Sequence, residues 1–372
     1  MKNIFTFLKK DKVFLISLIF ASLTMLIIPP SNDYLAYINW KVLIVMFTIM
    51  IAVSGIYETH FFDYIATKLV MHLKDIKWIS LMLVLATFFL AMFLTNDAVL
   101  LTLIPFTIFI TKITNQERHL IIILILQTIA ANLGSALTPM GDPQNIYLYA
   151  YFHIPFSDFL AATFPITMIG FVLIVSTLFI KIPSSPCTLN ITTPHIDLKK
   201  LFLYSLILIN ALLNILRIVP EIYTLMITLI LMTLYGRHLL KRVDFHLLLT
   251  FVAFFIFTGN LSQMTIIQTF VSSLLHTRNS IFFSGLITSQ FISNVPAAVL
   301  LSSFTSNTLW KPLLQGVNIG SLGTIIASLA SLITFKYVLR EYPNKIKTYL
   351  LNYSLISIVF IAILTLSLFL FF

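Results

Sequence analysis

Apolar runs of the length needed to cross about 30 Å of hydrocarbon recur from one end of the 372-residue chain to the other. No other feature restricts the fold as much. In lipid, every backbone N–H and C=O must be satisfied within the protein, which leaves helices or closed barrels. These runs have helix length. Charge is correspondingly scarce: 10% of residues are Asp, Glu, Lys or Arg, against about 25% in a soluble domain. The chain therefore reads as an all-α polytopic membrane protein. Its formal charge of +10 reports membrane orientation rather than a nucleic-acid partner.

The start, K-N-I-F-T-F-L-K-K-D-K followed by apolar 13–28, has the outline of a signal peptide. Pro29-Pro30-Ser31-Asn32-Asp33 offers no small-x-small cleavage site, so a retained first helix is expected. The single cysteine, Cys187, excludes an internal disulfide and a cysteine-based metal site. The sequence carries no G-x-x-x-x-G-K-[ST], H-E-x-x-H or G-x-S-x-G. No enzyme chemistry is expected, and transport would be driven by a gradient or by a separate ATPase subunit.

Nine crossings are expected: 13–29, 42–56, 119–153, 159–180, 201–217, 221–236, 245–259, 311–337 and 349–371. With the Lys-rich N-terminus in the cytoplasm and the C-terminus outside, 19 of the 23 Lys and Arg residues fall inside. Lys41, Arg217, Arg278 and Lys311 fall outside. That bias supports both the orientation and the parity of the count. Segments 78–111 and 280–308 are apolar with a polar knot in the middle, Thr95-Asn96-Asp97 and Ser293-Asn294-Val295-Pro296. Arms of roughly 14 to 17 residues fall short of the ~20 that span a bilayer. The expected form is a re-entrant helical hairpin with its tip at mid-membrane, where irregular backbone needs a protein or water-filled surround.

The order of parts then repeats. Crossing 42–56, a mixed-polarity segment 57–74, hairpin 78–111, long helix 119–153 and a final helix are followed later by 245–259, mixed 262–276, hairpin 280–308, 311–337 and a final helix. The mixed segments suit amphipathic helices lying at the interface. Crossing 201–217 flips the second copy, so the expected architecture is an inverted-topology repeat, as in many secondary transporters. Residues 1–41 hold the N-terminal segment and first helix, and 42–182 the first repeat. Residues 183–242 hold the linker and connecting helices, and 243–372 the second repeat.

Both long helices contain the same helix-breaking patch. A-N-L-G-S-A-L-T-P-M-G-D at 131–142 aligns without a gap, at an offset of 186, with V-N-I-G-S-L-G-T-I-I-A-S at 317–328. Asn132/Asn318, Gly134/Gly320, Ser135/Ser321 and Thr138/Thr324 coincide. Gly134, Pro139, Gly141 and Pro143 disfavour helix by about 1 kcal/mol per Gly and about 3 per Pro, and Gly320 and Gly323 weaken the second copy more gently. In a broken helix, freed N–H groups attract anions and freed carbonyls coordinate cations. Such small and polar residues also serve close helix packing. Asp97 and Asp142 lie inside these motifs, where a carboxylate costs roughly 2.5–3.5 kcal/mol and marks a functional site by default. Asp97, which has no capping role in the sequence, is expected to bind H⁺ or Na⁺ in turn as a coupling group, and Asp142 suits the same role. Asp142, just before Pro143, equally suits a half-helix N-cap.

T-N-D-A-V-L-L-T-L-I-P-F at 95–106, A-N-L-G-S-A-L-T-P-M-G-D-P-Q-N at 131–145 and S-Q-F-I-S-N-V-P-A-A-V-L-L at 289–301 resemble the ion transporter superfamily. That group includes divalent-anion:sodium symporters, citrate–metal transporters, the arsenite-efflux membrane subunit and some sodium/proton antiporters. The resemblance implies a solute held between the tips by Asn96, Asp97, Asn294 and Val295. It implies a first cation site at Thr95, Asn96 and Gly134, and a second at Ser293, Asn294 and Gly320. The break residues Ser135, Ser321 and Asp142 add ligands for the coupling cation, and Thr138 and Thr324 add ligands for the solute. Symporters of divalent anions carry Ser-Asn-Thr at both tips, whereas this chain has Thr-Asn-Asp and Ser-Asn-Val. An ionised Asp97 would repel a carboxylate, and the Asn-Asp pair looks more like the arsenite-efflux branch.

The expected activity is Na⁺- or H⁺-coupled secondary transport of small organic di- or tricarboxylates or inorganic oxyanions. Arsenite or antimonite efflux and Na⁺/H⁺ antiport are the alternatives. The expected partners are the solute, the coupling ion, the bilayer and a second copy in a homodimer. No organic cofactor is expected, and bound Na⁺ is compatible with the sites.

Overall fold

The computed structural model describes residues 12–31, 33–189 and 191–371. Lys2, Lys9 and Lys10, which set the expected orientation, lie outside the described residues. Among the described residues there is no strand, only an isolated bridge between Asp75 and Pro186. In chain order the helices are α1 (Lys12–Met25), α2 (Asp33–Tyr37), α3 (Trp40–Glu58), α4 (Phe61–Val70), α5 (Ile76–Leu90), α6 (Asn96–Ile113), α7 (Leu120–Ala136), α8 (Pro143–Tyr151), α9 (Phe156–Lys181) and α10 (Leu198–Ile215). They continue as α11 (Glu221–Tyr235), α12 (Phe245–Gln263), α13 (Thr265–Leu274), α14 (Arg278–Ile292), α15 (Asn294–Ser302), α16 (Trp310–Gly320), α17 (Leu329–Glu341) and α18 (Ile346–Phe371). Helices α3, α6, α9, α10 and α12, and the segment Pro343–Leu370 around α18, are long and apolar enough to cross a membrane. Each expected crossing contains a helix, and both mixed segments form short helices, α4 and α13.

Exposure follows the helical period. On α18, Leu351, Leu355, Ile358, Leu366 and Leu370 face outward, while Tyr349, Tyr353, Phe360, Leu364 and Leu368 are buried. An apolar outer face of this extent suits lipid, because a soluble protein rarely exposes so large a patch. Helix α7 is apolar and buried almost all round, as a central helix must be. It packs against α5, α6 and α9, and the second copy packs α14 and α15 against α16. Several basic residues assigned to the cytoplasmic side are held by acidic or carbonyl partners. Lys112 pairs with Glu341 at 3.7 Å, Arg242 with Glu58 at 2.8 Å, and the Lys345 ammonium donates to the Glu117 carbonyl at 3.2 Å.

Gly134 permits the closest of these approaches. A Cβ there would lie 2.1 Å from the Phe88 carbonyl oxygen, a backbone atom that cannot rotate away. Gly134→Ala is therefore expected to separate α5 from α7 and to cost at least about 1–3 kcal/mol. Gly285→Ala meets its nearest atom at 3.2 Å and should cost less. Melting temperatures of the two variants in detergent check the order.

The two broken helices open where the paired patch lies. Residues 137–142 separate α7 from α8, and residues 321–328 separate α16 from α17. The expectation of a gentler second break is corrected, since the second gap is the longer one. Its cause is tertiary rather than local. The Gln290 amide donates to the Gly320 carbonyl (2.8 Å), and its carbonyl accepts from Thr324 N–H (2.8 Å). One side chain thereby satisfies the opened backbone.

Hairpin arms also differ from expectation. The first pair is α5–α6, with α6 18 residues long, and the second is α14–α15, with α15 only 9 residues long. Helix α15 stops early because the Ser302, Ser303 and Thr305 hydroxyls bond back to the carbonyls of Val299 and Leu301, the competition with helix typical of these residues.

Contacts between tip and break occur twice. Asn96 N–H donates to Gly141 O (3.1 Å), and Asn294 N–H donates to Ala327 O (2.9 Å). Thr138 Oγ1 donates to Met92 O, and Thr324 Oγ1 donates to Gln290 O (2.9 Å). Ser135 and Ser321 each return a hydroxyl to the carbonyl three residues earlier, on Asn132 and Asn318. Break residues match at the 186-residue offset, and tip residues match at an offset of 198.

Candidate functional site

Asn96 and Asn294 are the first residues of α6 and α15, so their side chains project from helix N-termini. Ser293 reaches this turn with φ of 74°, a left-handed conformation that costs a non-glycine residue about 1–3 kcal/mol. Its hydroxyl donates to Ala327 O at 3.3 Å, which helps to hold it there. Thr95 precedes α6 and makes no side-chain cap. The Asn96 carbonyl oxygen accepts from Asp97 N–H at 2.8 Å, which turns its amide nitrogen toward the molecular interior.

There the two tips meet a single group. Asp142 Oδ2 accepts from Asn96 Nδ2 at 2.9 Å and from Asn294 Nδ2 at 3.4 Å. Asp142 is buried at 3% exposure. It occupies the N-cap position of α8, yet its carboxylate makes no cap hydrogen bond, so of the two readings left open by the sequence the cap is excluded. The N-cap that does form in the second copy is Ser328, which accepts from Ser331 N–H at 3.1 Å. The acid of the first break therefore accepts from residues of both hairpins.

Amides extend this contact into the two broken helices. Asn96 Nδ2 also donates to Asn132 Oδ1 (3.2 Å). Asn145 donates to the freed carbonyls of Ser135 (3.1 Å) and Thr138 (3.4 Å) and accepts from Asn318 Nδ2 (2.8 Å). Gln144 Nε2 donates to Asn318 Oδ1 at 3.3 Å. Asn132 Nδ2 and Gln144 Oε1 are buried without a hydrogen-bond partner. Sequence reading assigned no role to Gln144 or Asn145. The available signal was two adjacent amides directly after Asp-Pro in an otherwise apolar helix.

A cavity of about 110 Å³ lies against this centre, lined by Asp97, Asp142, Asp244, Ser293, Asn294, Val295 and Ser328 among others. It shares Asp97, Asp244, Pro143, Leu247 and Leu329 with a second space of about 310 Å³, which adds Thr95, Arg242 and Lys336. Asp97 Oδ1 is buried there with no hydrogen-bond partner. Asp244, which sequence reading left in a loop, caps α12 by accepting from Leu247 N–H at 3.0 Å and faces the same space. Thr95, Asp97, Asp142, Ser293, Asn294 and Val295 are thus brought together around the cavity, with Asn96 on Asp142. Gly134, Ser135, Thr138, Gly320, Ser321 and Thr324 do not line it. The Thr138 and Thr324 hydroxyls and the Gly320 carbonyl are engaged in tip-to-break contacts, while the Ser135 and Ser321 hydroxyls and the Gly134 carbonyl bond within their own segments. Gln127, Thr128 and Gln290 bond between helices, to Thr87 (3.1 Å), Thr334 (2.6 Å) and the Gly320 carbonyl (2.8 Å).

The arrangement can hold one negative charge between two amides and switch that hold by protonation. An ionised carboxylate only accepts hydrogen bonds, whereas a protonated one becomes a donor with reduced acceptor capacity. A family model described as citrate transporter matches residues 4–314. The chain is 36% identical over 301 residues to an uncharacterized transporter of Methanocaldococcus jannaschii, covering 80% of this chain and 81% of the relative. It is 27% identical over 332 residues to the inner membrane protein YbiR of Escherichia coli, covering 88% of each. A 121-residue stretch is 32% identical to the P protein of Homo sapiens, 14% of whose length it covers.

Proposed function

Since this chain belongs to the citrate transporter family and is a multi-pass membrane transporter, we propose that it moves small oxyanion solutes by proton-coupled alternating access. Membership bears out the resemblance to the ion transporter superfamily carried by the tip and break motifs. The solutes are organic di- or tricarboxylates or inorganic oxyanions, held between the tips by Asn96, Asp97, Asn294 and Val295. Asp142 is the coupling group, and the observation that carries this reading is its acceptance of hydrogen bonds from both tips.

The choice of H⁺ over Na⁺ rests on the groups around Asp142. Hard metal ions are held by cages of oxygen ligands. Here the groups on Oδ2 are N–H donors, and the Asn132, Asn145 and Asn318 side-chain oxygens already accept from amides. A proton needs only the carboxylate itself. Ionised Asp142 gathers the two tips through charge-assisted bonds, each worth about 1.5–3 kcal/mol, and protonation lets them part.

The duplicated tip-to-break contacts support an inverted-topology repeat with two hairpins and two discontinuous helices, the second copy being flipped by α10. In the proposed orientation the face bearing Arg242, Lys336 and Lys112 is cytoplasmic and the C-terminus is outside. Arg242 and Lys336 in the wider space attract an anion, while Asp97, Asp142 and Asp244 lining the cavity would repel a bare carboxylate. That acidic lining favours one second reading, efflux of a neutral oxyanion acid such as arsenite.

Proteoliposomes with an imposed pH gradient in Na⁺-free buffer, offered citrate, succinate or arsenite, test the proposal. Accumulation of at least one solute that collapses with the gradient is expected. In a parallel arm with an imposed Na⁺ gradient, solute flux that responds only to Na⁺, or Na⁺ flux with no solute, would refute it, the latter in favour of Na⁺/H⁺ antiport.

A further inference from the structure

A second cavity, of about 520 Å³, lies at the opposite ends of the helices that line the first. Helix α3 gives Met46, Ile49 and Val53 to the cavity system around Asp97, and Trp40 and Lys41 to this one. Helix α12 gives Asp244 and Thr250 to the first and Phe255 and Gly259 to the second. Helix α8 runs from Pro143 in the first to Tyr147 and Tyr151 in the second, and α15 runs from Asn294 to the adjoining Ser303. Trp40 and Tyr151, at its rim, are exposed. The two spaces therefore approach the same centre from opposite sides of the membrane.

What separates them is thin. Asp142 and Tyr147 are five residues apart, about 7.5 Å along a helix axis. Tyr147 is 2% exposed, and its hydroxyl pairs with Ser302 Oγ at 2.8 Å, so it joins α8 of the first half to α15 of the second. Its ring packs on Phe255 at 5.6 Å and on Tyr151 at 5.3 Å, and Phe255 is backed by Phe251 at 5.8 Å. Three helices are closed at this level by one aromatic cluster and one hydroxyl pair. The neighbouring α8 terminus is held from outside the cluster, where Arg217 donates to the Ile154 carbonyl at 3.0 Å and stacks over the Tyr149 ring.

We propose that Tyr147, paired with Ser302 and seated on Phe255, is the closed gate between the second cavity and the Asp142 centre. It rests on the alternating-access reading, which requires that one side be barred while the other is open. A tyrosine suits the task because its ring fills the gap between α8, α12 and α15, while a single hydroxyl bond, easily remade, fixes the closed position.

The single cysteine makes the test direct. In a Cys187→Ser background, Thr250→Cys places a thiol on the wall of the first cavity. A membrane-impermeant thiol reagent is applied to right-side-out and inverted vesicles. Modification is expected from the Arg242 and Lys336 face only. Tyr147→Ala should admit the reagent from the opposite face, with a rise in rate of about tenfold, the order expected when a buried hydrogen bond and its packing are lost. Tyr147→Phe, which retains the ring and the fold, should give a smaller rise in the same direction. Labelling of the parent from both faces at equal rates would overturn the gate, as would unchanged far-side labelling in both Tyr147 variants when they elute as folded protein. Labelling requires no transported solute, so loss of proton coupling leaves this result intact and a failed gate leaves gradient-driven accumulation untouched.

Discussion

Asp142→Asn is expected to abolish accumulation of solute against a gradient while leaving solute exchange across the membrane. The amide oxygen of asparagine can still accept from Asn96 and Asn294, which now donate to Asp142 Oδ2 at 2.9 and 3.4 Å, so the tips should assemble and the protein should fold. What is lost is the proton that enters and leaves. Coupling between linked sites is typically about 1–3 kcal/mol, or about 5–150-fold in affinity. Accumulation ratios should fall to the equilibrium value, the effect of protonation on solute affinity should be lost by a factor in that range, and the pH dependence of exchange should flatten. Asp97→Asn should act differently. Asp97 lines the cavity, and its Oδ1 has no hydrogen-bond partner, so its charge acts on the solute. Neutralising it should change which solutes are taken while accumulation by proton gradient persists. Counterflow and gradient-driven uptake, measured side by side on both variants, separate the two roles.

The largest loss of stability is expected from Gln290→Ala. The Gln290 side chain bonds to both Gly320 O and Thr324 N–H at 2.8 Å across the opening between α16 and α17. Removing it takes the partner from the Gly320 carbonyl and the Thr324 N–H, at about 1 kcal/mol each. It also empties the space beside Gly323, where a Cβ would meet Gln290 Oε1 at 1.7 Å. Gln290→Met installs the residue of the matched position Met92, fills the volume and satisfies neither group, so it should recover only the packing part. A melting temperature in detergent lowered most by Ala, less by Met and least by Glu is the expected order. Glu retains the acceptor for Thr324. An unchanged melting temperature in the alanine variant would mean that the second break holds without this side chain.

These two residues also mark where sequence reading stops. Helices were legible because lipid demands long apolar runs, and the breaks because Gly and Pro act locally. The tips Asn96 and Asn294 were legible because an asparagine in the middle of an apolar segment has few other uses. Asp142 was singled out inside the break, but its direction was not readable. Beside Pro143 it has the local form of a cap, and only the approach of tips 46 and 152 residues away turns it into a shared acceptor. Gln290 belongs to the same class. Its partners lie 30 and 34 residues along the chain, and nothing local distinguishes it from a glutamine that bonds between helices. Asp244 was hidden by a different cause, since a carboxylate that caps a helix at the membrane edge looks like any loop residue until the cavity beside it is known.

Solute-driven proton uptake is the most direct measure of the central claim. In weakly buffered, Na⁺-free proteoliposomes, with external pH followed by a dye, a solute identified from the citrate, succinate and arsenite panel is added to the outside. Wild-type protein is expected to move protons together with the solute in a fixed ratio, and Asp142→Asn to move solute down its gradient with no proton signal. Solute movement without a pH change in the wild type, or an undiminished pH change in Asp142→Asn, would contradict the account.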